Sequence, residues 1–363
     1  MLTISLIFLF IAGYIGIALE HPLKINKTGT ALLLGVGCWT VLSFAVGNDA
    51  QIVQRLSENL SEIAQILFYL LGAMTIVEII DAHKGFALIA RWVHTHNKVA
   101  LLWLISLATF FLSAVLDNLT TSIVMVSLLR KMAFDKHDRL IFASSVILAA
   151  NAGGAWTPIG DVTTTMLWIS GRISSWNIII QLILPSLICF AVPLTIQSFF
   201  LKGKLLSNGV NIEEKTITEP GGTLILFLGI ASLIFVPIFK MLTHLQPFMG
   251  ILLGVGVLWG ATDLLHKGKK ARAHLRMSSA LSRIDISSVL FFMGILLAVG
   301  ALQVSGILDA LALLMDQLFP NKQTVIYLTG LLSAVVDNVP LVAAGIGMWS
   351  TSMYPMDSQL WAM

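Results

Sequence analysis

Ser113-Ala-Val-Leu-Asp117-Asn118 returns 220 residues later as Ser333-Ala-Val-Val-Asp337-Asn338. Each copy lies in an otherwise apolar stretch with no Lys or Arg nearby to neutralise the Asp. A carboxylate at bilayer depth is costly, and the partners that usually offset it are a proton, a metal cation or a basic side chain. No basic side chain is on offer, so a proton or a cation is left. The duplication predicts a site built from two related halves.

Composition places these phrases in a membrane. The 363 residues are 57% hydrophobic and only 11% charged, whereas a soluble domain carries roughly 25% charged residues. A soluble enzyme and a nucleic-acid-binding module are both excluded, since the one basic cluster is a loop between apolar runs. The first such run, Leu2–Leu19, has no basic n-region and no A-x-A-like cleavage site, and reads as a retained first span. Cys38 and Cys189 both sit within apolar runs and read as buried packing residues, neither a disulfide framework nor a metal site.

Hydropathy predicts spans at 2–19, 29–46, 62–80, 178–200, 222–240, 247–262 and 287–304, each near the ~20 residues that cross a hydrocarbon core of ~30 Å. The loop 263–286 holds Lys267, Lys269, Lys270, Arg272, Arg276 and Arg283, which makes it cytoplasmic by the positive-inside rule. The loop 47–61 carries one Arg against Asp49 and Glu58, with Glu62 nearby, and is expected to face outward, so counting back puts the N-terminus outside. Residues 81–98 and 130–139, each with several Lys or Arg, then both lie inside.

Residues 99–131 therefore begin and end on one side, with a polar break from Ser113 to Ser122 in the middle. Each arm is too short to cross, and the pattern predicts a re-entrant helical hairpin with Asp117-Asn118 at its tip. Such a tip is allowed at membrane depth only where protein or a watery cavity satisfies its backbone. A second hairpin is predicted at 322–350, where Pro340 follows Asp337-Asn338 and breaks a continuous helix.

The offset also carries the first three spans onto those of the second half. An odd number of crossings separates the copies, so the second hairpin enters from the opposite side. The predicted fold is an all-α polytopic membrane protein with an inverted-topology repeat, re-entrant hairpins and a discontinuous helix. Repeat one covers 1–200, a cytoplasmic linker 201–221, and repeat two 222–363, with interfacial segments at 83–96 and 306–319.

Repeat one continues past its hairpin through Asn151-Ala-Gly-Gly154-Ala-Trp-Thr157-Pro158-Ile-Gly160-Asp161-Val-Thr163-Thr164-Thr165. Apolar helical runs flank this stretch, giving a helix over 140–170 broken in mid-membrane, followed by the span 178–200. Unwinding there frees carbonyls and half-helix ends that hold a cation. The glycines do not form a nucleotide loop, because no Lys-Ser/Thr follows them. A packing kink is the plainer reading of the glycines, but packing needs no carboxylate, and Asp161 is one.

A tip of Asp-Asn-Leu-Thr-Thr, then Asn-Ala-Gly-Gly-x-x-Thr-Pro-Ile-Gly-Asp, then a second Asp-Asn-Val-Pro resembles the NhaD-type sodium/proton antiporters of the ion transporter superfamily. The likeness covers nearly the whole chain. It implies exchange of Na⁺ or Li⁺ for protons, with elevator-like movement of a hairpin-bearing domain against a scaffold, and no cofactor. Matched by position, Ser113, Asp117, Asn118, Asn151, Asp161, Thr163, Thr164, Ser333, Asp337 and Asn338 are implied to form or border the ion site. One departure stands out: the counterparts of 140–170 and 178–200 would lie beyond residue 363, so a missing C-terminal end, and a chain inactive by itself, are expected.

In mechanism, Asp117, Asp161 and Asp337 are expected to converge, with Na⁺ held on those carboxylates. Burial and mutual repulsion favour the protonated form, so protons and Na⁺ compete for the same oxygens. Asn118, Asn338, Thr163 and Thr164 add neutral oxygens suited to a hard cation. His83, His94, His96 and His137 read as solvated loop residues, with a pH sensor among them as the minority reading. Glu78 reads as interfacial.

An anion, dicarboxylate or arsenite carrier on the same fold is the alternative, though three site carboxylates repel an anion. A membrane-embedded enzyme is weaker still, since no protease motif or zinc-binding His pair is present. The expected partners are the lipid bilayer, monovalent cations and protons. Gly- and Phe-rich spans permit a homodimer, and a bacterial plasma (inner) membrane is the expected location. Topology is open to direct test: a Cys placed at Asn321 or Met353 should react with an impermeant reagent from outside, and one at Asp135 or Lys269 only from inside. Labelling of position 321 from the cytoplasm would remove the inverted repeat.

Overall fold

The computed structural model of the chain describes residues 2–46, 50–86, 95, 97–130, 135–201, 219–319, 321–334 and 337–362. Every element of regular structure among them is a helix. In chain order these are α1 (Leu2–Ala18), α2 (Lys27–Val46), α3 (Ala50–Ala82), α4 (Lys98–Ser113), α5 (Asn118–Arg130), α6 (Lys136–Ala155) and α7 (Val162–Ile169). There follow α8 (Ser175–Phe200), α9 (Gly222–Thr243), α10 (Pro247–Leu265), α11 (Ile286–Val304), α12 (Ile307–Leu318), α13 (Lys322–Ser333) and α14 (Asn338–Met348), with short helical turns elsewhere.

Six of them, α2, α3, α8, α9, α10 and α11, are long and apolar enough to cross a membrane, and α1 is a shorter apolar helix. The chain is thus a multi-pass membrane protein. The predicted spans fall on these helices, with one clear difference. α3 begins at Ala50 and runs for 33 residues, about 50 Å at 1.5 Å per residue, where a loop 47–61 had been expected before the span. The stretch from Ala50 to Ser61 contains no Gly or Pro, and Gln54 donates to Glu58 one turn on at 2.9 Å. Hydropathy detects apolar residues rather than helical ones, so the polar turns read as loop.

Other expectations need correction. Cys38 is buried, but Cys189 is exposed on α8; in a bilayer an apolar run has an outer face that meets lipid. His83 is fully buried rather than solvated, while His137 is exposed. His94 and His96, most of the 83–96 segment and linker residues 202–218 lie outside the described residues. The 306–319 segment is α12, 12 residues long and too short to cross.

The chain resolves into two compact units, each drawing on both predicted repeats. The first holds Met1–Leu71, Met166–Ser174 and Asp285–Met363. Its centre is the crossing of α2 and α11. A Cβ built on Gly35 would lie 2.5 Å from the Gly294 carbonyl oxygen, and one on Gly294 would lie 2.5 Å from that of Ala31. Backbone therefore touches backbone, which only glycine at both positions permits. Beside the crossing, the Thr28 hydroxyl donates to the Ser287 carbonyl at 3.0 Å and the Trp39 indole to that of Leu297 at 2.9 Å. α1 packs on α2, and α14 lies against α11 and α12.

The second unit holds Gly72–Thr165 and Ser175–Ile284. Here the end of α3 packs through Ile76 and Ile80, both fully buried, against Gly229 of α9. α6 is flanked by α4, α5 and α8, around Phe110, whose ring stacks on Trp156 with centroids 6.1 Å apart.

α4 and α5 are 16 and 13 residues long, α13 and α14 are 12 and 11, all shorter than the ~20 residues a crossing needs. Each first arm opens with an Asn-Lys pair: the side chains of Asn97 and Asn321 accept from Val99 N and Gln323 N at 2.9 and 3.0 Å. The tips are 220 residues apart and these caps 224, so the later arm is shorter by one helical turn.

The glycine crossing is testable. Gly294→Ala must push backbone apart, and overpacking of that kind costs about 1–3 kcal/mol. Gly256→Ala on α10, with nothing within 4 Å of its new methyl, should be neutral or stabilise by about 0.5–1 kcal/mol through helix propensity. Thermal unfolding in detergent should move in opposite directions for the two, and equal shifts would contradict the close approach.

Candidate functional site

In the second unit two chain breaks lie against each other, residues 114–117 between α4 and α5 and 156–161 between α6 and α7. Small residues allow it. A Cβ on Gly153 would sit 2.1 Å from the Phe110 carbonyl oxygen, one on Gly154 would sit 2.4 Å from that of Gly160, and one on Gly160 would sit 2.6 Å from that of Ser113. Breaking a helix frees backbone groups, and at bilayer depth these must be satisfied within the protein.

Hydroxyls from the facing break and from the start of α7 do this. Ser113 Oγ donates to the Ala150 carbonyl at 2.6 Å, and Thr157 Oγ1 donates to that of Ala114 at 2.6 Å while accepting Gly160 N at 3.0 Å. Thr164 Oγ1 reaches the carbonyls of Thr157 and Asp161, at 2.9 and 3.0 Å, and Thr165 Oγ1 that of Pro158, at 2.8 Å.

Each break ends in an Asp that caps the next half-helix. Asp117 accepts from the amide of Thr120 at 2.8 Å on Oδ1 and from the Thr120 hydroxyl at 2.5 Å on Oδ2. Asp161 accepts on Oδ1 from the amide of Thr163 at 2.8 Å and from its hydroxyl. An N-terminal carboxylate is the preferred partner for orphaned amides and for the positive end of the helix dipole.

Asn118 joins the two breaks. Its Nδ2 donates to Asp161 Oδ2 at 2.7 Å and to Asn151 Oδ1 at 3.0 Å. Asp161 is 9% exposed, and Asp117 is near enough for their charges to repel. An ionised carboxylate has about four lone-pair positions. Asp117 uses two of them and Asp161 three, so both keep open acceptor positions. The four ion pairs among the described residues are Lys84–Glu219, Lys98–Asp138, Arg283–Glu78 and Lys322–Asp316. None involves Asp117 or Asp161, and Glu78 is taken by Arg283 at 2.9 Å.

Asp117, Asn118, Asn151, Asp161 and Thr163 thus form one polar cluster, with Ser113 and Thr164 securing the backbone beneath it. Ser333, Asp337 and Asn338 belong to the first unit. There Asp337 repeats the capping device: its Oδ1 accepts from Val339 N at 3.1 Å at the start of α14. Pro340 falls in the first turn of α14, where its missing N–H is not needed. Ser333 is the last residue of α13 and is half-buried, and Asn338 is exposed. Thr120 and Thr157 were not singled out from the sequence. Thr120 stands three residues after Asp117, the spacing of an N-capping pair, and that signal would have found it. Thr157 had none for its role between the breaks, because the Ala114 carbonyl it meets belongs to the other break.

Comparison with known proteins gives concordant results. Residues 7–363 match the family CitMHS, described as citrate transporter. The chain is 47% identical over 360 residues to sodium/proton antiporter 2 of Arabidopsis thaliana, covering 98% of this chain and 85% of the relative. To sodium/proton antiporter 1 of the same plant it is 46% identical over 365 residues, covering 99% of this chain but 63% of the relative's length. To the Na(+)/H(+) antiporter NhaD of Vibrio cholerae it is 28% identical over 372 residues, covering 94% and 77%. Family and relatives are transporters, not enzymes.

Thr157→Val should leave the Ala114 carbonyl and the Gly160 amide unpaired in a buried setting. At about 1–3 kcal/mol for each unsatisfied group, detergent-solubilised protein should unfold at markedly lower temperature, and Thr157→Ser should restore it. No difference between Val and Ser would mean the hydroxyl does not hold the break.

Proposed function

The chain belongs to the CitMHS family, and from that premise we propose that it exchanges Na⁺ or Li⁺ for protons across the membrane. The observation that carries this reading is the cluster of Asp117, Asn118, Asn151 and Asp161, in which Asp161 is buried, Asp117 and Asn118 are half-buried and Asn151 is exposed, with no basic side chain paired to either carboxylate among the described residues. Oxygen donors suit hard cations. Charge sets the valence: two carboxylates give −2, and two half-helix N-termini supply roughly +0.5 each. About −1 remains, which one monovalent cation or one proton balances. Protonation and cation binding are then alternative ways to neutralise one site, and their alternation is exchange. Open lone pairs on Asp117 and Asp161, the Asn118 amide oxygen and the Thr163 hydroxyl serve as ligands, with the Asn118 amide turning its oxygen inward as the cation enters.

Asp337, the cap of the later hairpin, is the matching carboxylate of an inverted repeat whose two hairpins enter from opposite faces. Both Asp117 and Asp337 cap the second arm of their hairpins, through the amides of Thr120 and Val339 respectively, which supports that reading, as does the recurrence of Ser-x-x-x-Asp-Asn. Citrate or another anion is disfavoured as cargo, since a tricarboxylate would meet Asp117 and Asp161 with no Arg or Lys paired to them. A bacterial plasma membrane is the proposed location. The higher identity to the Arabidopsis relatives favours a membrane of a plant-like cell as the second reading.

The test is dye-reported proton release from everted vesicles on adding Na⁺, Li⁺, K⁺ or citrate. Asp117→Asn, Asp161→Asn and Asp337→Asn each keep shape and remove charge, and each should abolish the Na⁺ response, whereas Glu78→Gln should retain most of it. Equal losses at all four positions would undo the site. A response to citrate that survives at Asp161→Asn would replace exchange of cations with anion transport.

A further inference from the structure

In the second unit, on residues outside the Asp-Asn and Gly-Gly motifs, two imidazoles meet inside the protein. His83 follows α3 and His266 follows α10, both with no exposed surface. Their Nε2 atoms are 3.0 Å apart. Lys270–Leu275 and Met277–Leu281 follow His266 in the chain, with Leu275 and Met277 also fully buried.

The tautomers follow from the partners. His83 Nδ1 is 2.8 Å from the Ile79 carbonyl oxygen, which can only accept, so Nδ1 carries hydrogen. A neutral His83 then offers a lone pair at Nε2, and His266 must donate from its own Nε2. That leaves His266 Nδ1 as a bare lone pair, buried and without a hydrogen-bond partner. The bond as it stands holds two neutral rings. A proton on His83 Nε2 would set two N–H groups face to face unless His266 moved its own hydrogen to Nδ1, and any hydrogen on His266 Nδ1 is buried with no acceptor.

The surrounding charges sharpen this. Glu219, His274 and Arg283 act on His83, while Lys269, Arg272 and Arg276 act on His266. Of the acids, Glu219 is paired with Lys84 at 2.7 Å and Glu78 with Arg283 at 2.9 Å. Burial holds His83 below the ordinary imidazole range, against the pull of the Ile79 carbonyl and Glu219. Burial, then His83 and the three cations, hold His266 below it too.

We propose that His83 and His266 form a proton-released clamp between the ends of α3 and α10, closed while both rings are neutral and opened when either takes a proton. The released rings bind protons at the ordinary value near 6.5, and the closed pair does not. Below that pH the open state binds more protons than the closed one, so the clamp weakens as pH falls and is fully closed above it. The clamp lies on the face that Lys and Arg assign to the cytoplasm, so the signal it answers is acid on that side. Among the described residues no three His, Cys, Asp or Glu side chains are grouped to hold a metal ion, and the local cations oppose one.

Hydrogen exchange of the whole chain in nanodiscs tests this without reference to the ion carried. After correction for intrinsic rates, amides of 79–83 and 262–266 should open more as pH falls, approaching about a hundredfold per pH unit well below pH ~6, as uptake of one proton by each of the two released rings requires, and be flat above pH ~7. His83→Gln with His266→Gln keeps an amide–amide hydrogen bond and should be flat throughout. Should that variant not fold, ¹⁵N spectra of the wild-type rings decide: hydrogen on Nδ1 of His83 and Nε2 of His266, with titration below 6.5. Wild-type exchange independent of pH, the same slope in the double variant, or rings titrating at 6.5 would each overturn the clamp. Protection that rises with added Zn²⁺ and falls with chelator would replace it with a metal site.

Discussion

The paired helix breaks of the second unit answer to one constraint: backbone groups that a broken helix releases out of reach of water have only protein to bond to. Two breaks placed together solve it mutually. The Ala114 carbonyl freed by one is met by Thr157 of the other, and Ser113 at the first break ties it to α6 through the Ala150 carbonyl. The approach needs Gly153, Gly154 and Gly160, because a side chain at any of them would strike a carbonyl. Glycine and threonine here divide the work, one giving access and the other supplying hydrogen bonds. The polar cluster above them is a consequence, since breaks that satisfy each other bring two helix N-termini and their capping carboxylates to one place.

The carboxylates therefore have two duties. As caps they bond the first amides of α5, α7 and α14, and as charges they are the counter-ion sites of the proposed exchange. The plain structural account, that they are only caps, explains their positions. It does not explain why Asp is used in every case where Ser or Thr would cap neutrally at lower cost in the membrane. Asn118 adds to the asymmetry: its amide hydrogens rest on Asp161 and Asn151, occupying the face where a cation would sit.

Much of this was legible in the sequence because burial inside a membrane leaves few ways to tolerate an Asp. Asp117, Asp161 and the Gly-Gly and Thr-Pro interruptions announced the breaks, and the structure places α5 and α7 directly after them. What escaped was whatever depends on a helix's surroundings rather than its residues. The polar start of α3 is helical but not apolar, so hydropathy missed it. Cys189 lies in an apolar run that faces outward, and His83 lies in a polar stretch that is folded inward. Polarity along the chain indicates the solvent a residue prefers, not the neighbour that covers it. His266, from 183 residues away, was therefore beyond the reach of any local reading.

A capping carboxylate also makes the order of its own helix answer to its occupancy. A neutral carboxyl is a weaker acceptor than a carboxylate, and loss of a cap costs roughly 1 kcal/mol, about a fivefold change in population. In the exchange proposed above, a cation on these carboxylates would leave the first turns of α5 and α7 wound, whereas a proton would let them fray and loosen the peptide units around Asp117 and Asp161. Stiffness would thus alternate with cargo, letting the rest of the molecule sense which ion it holds without any contact to the ion itself.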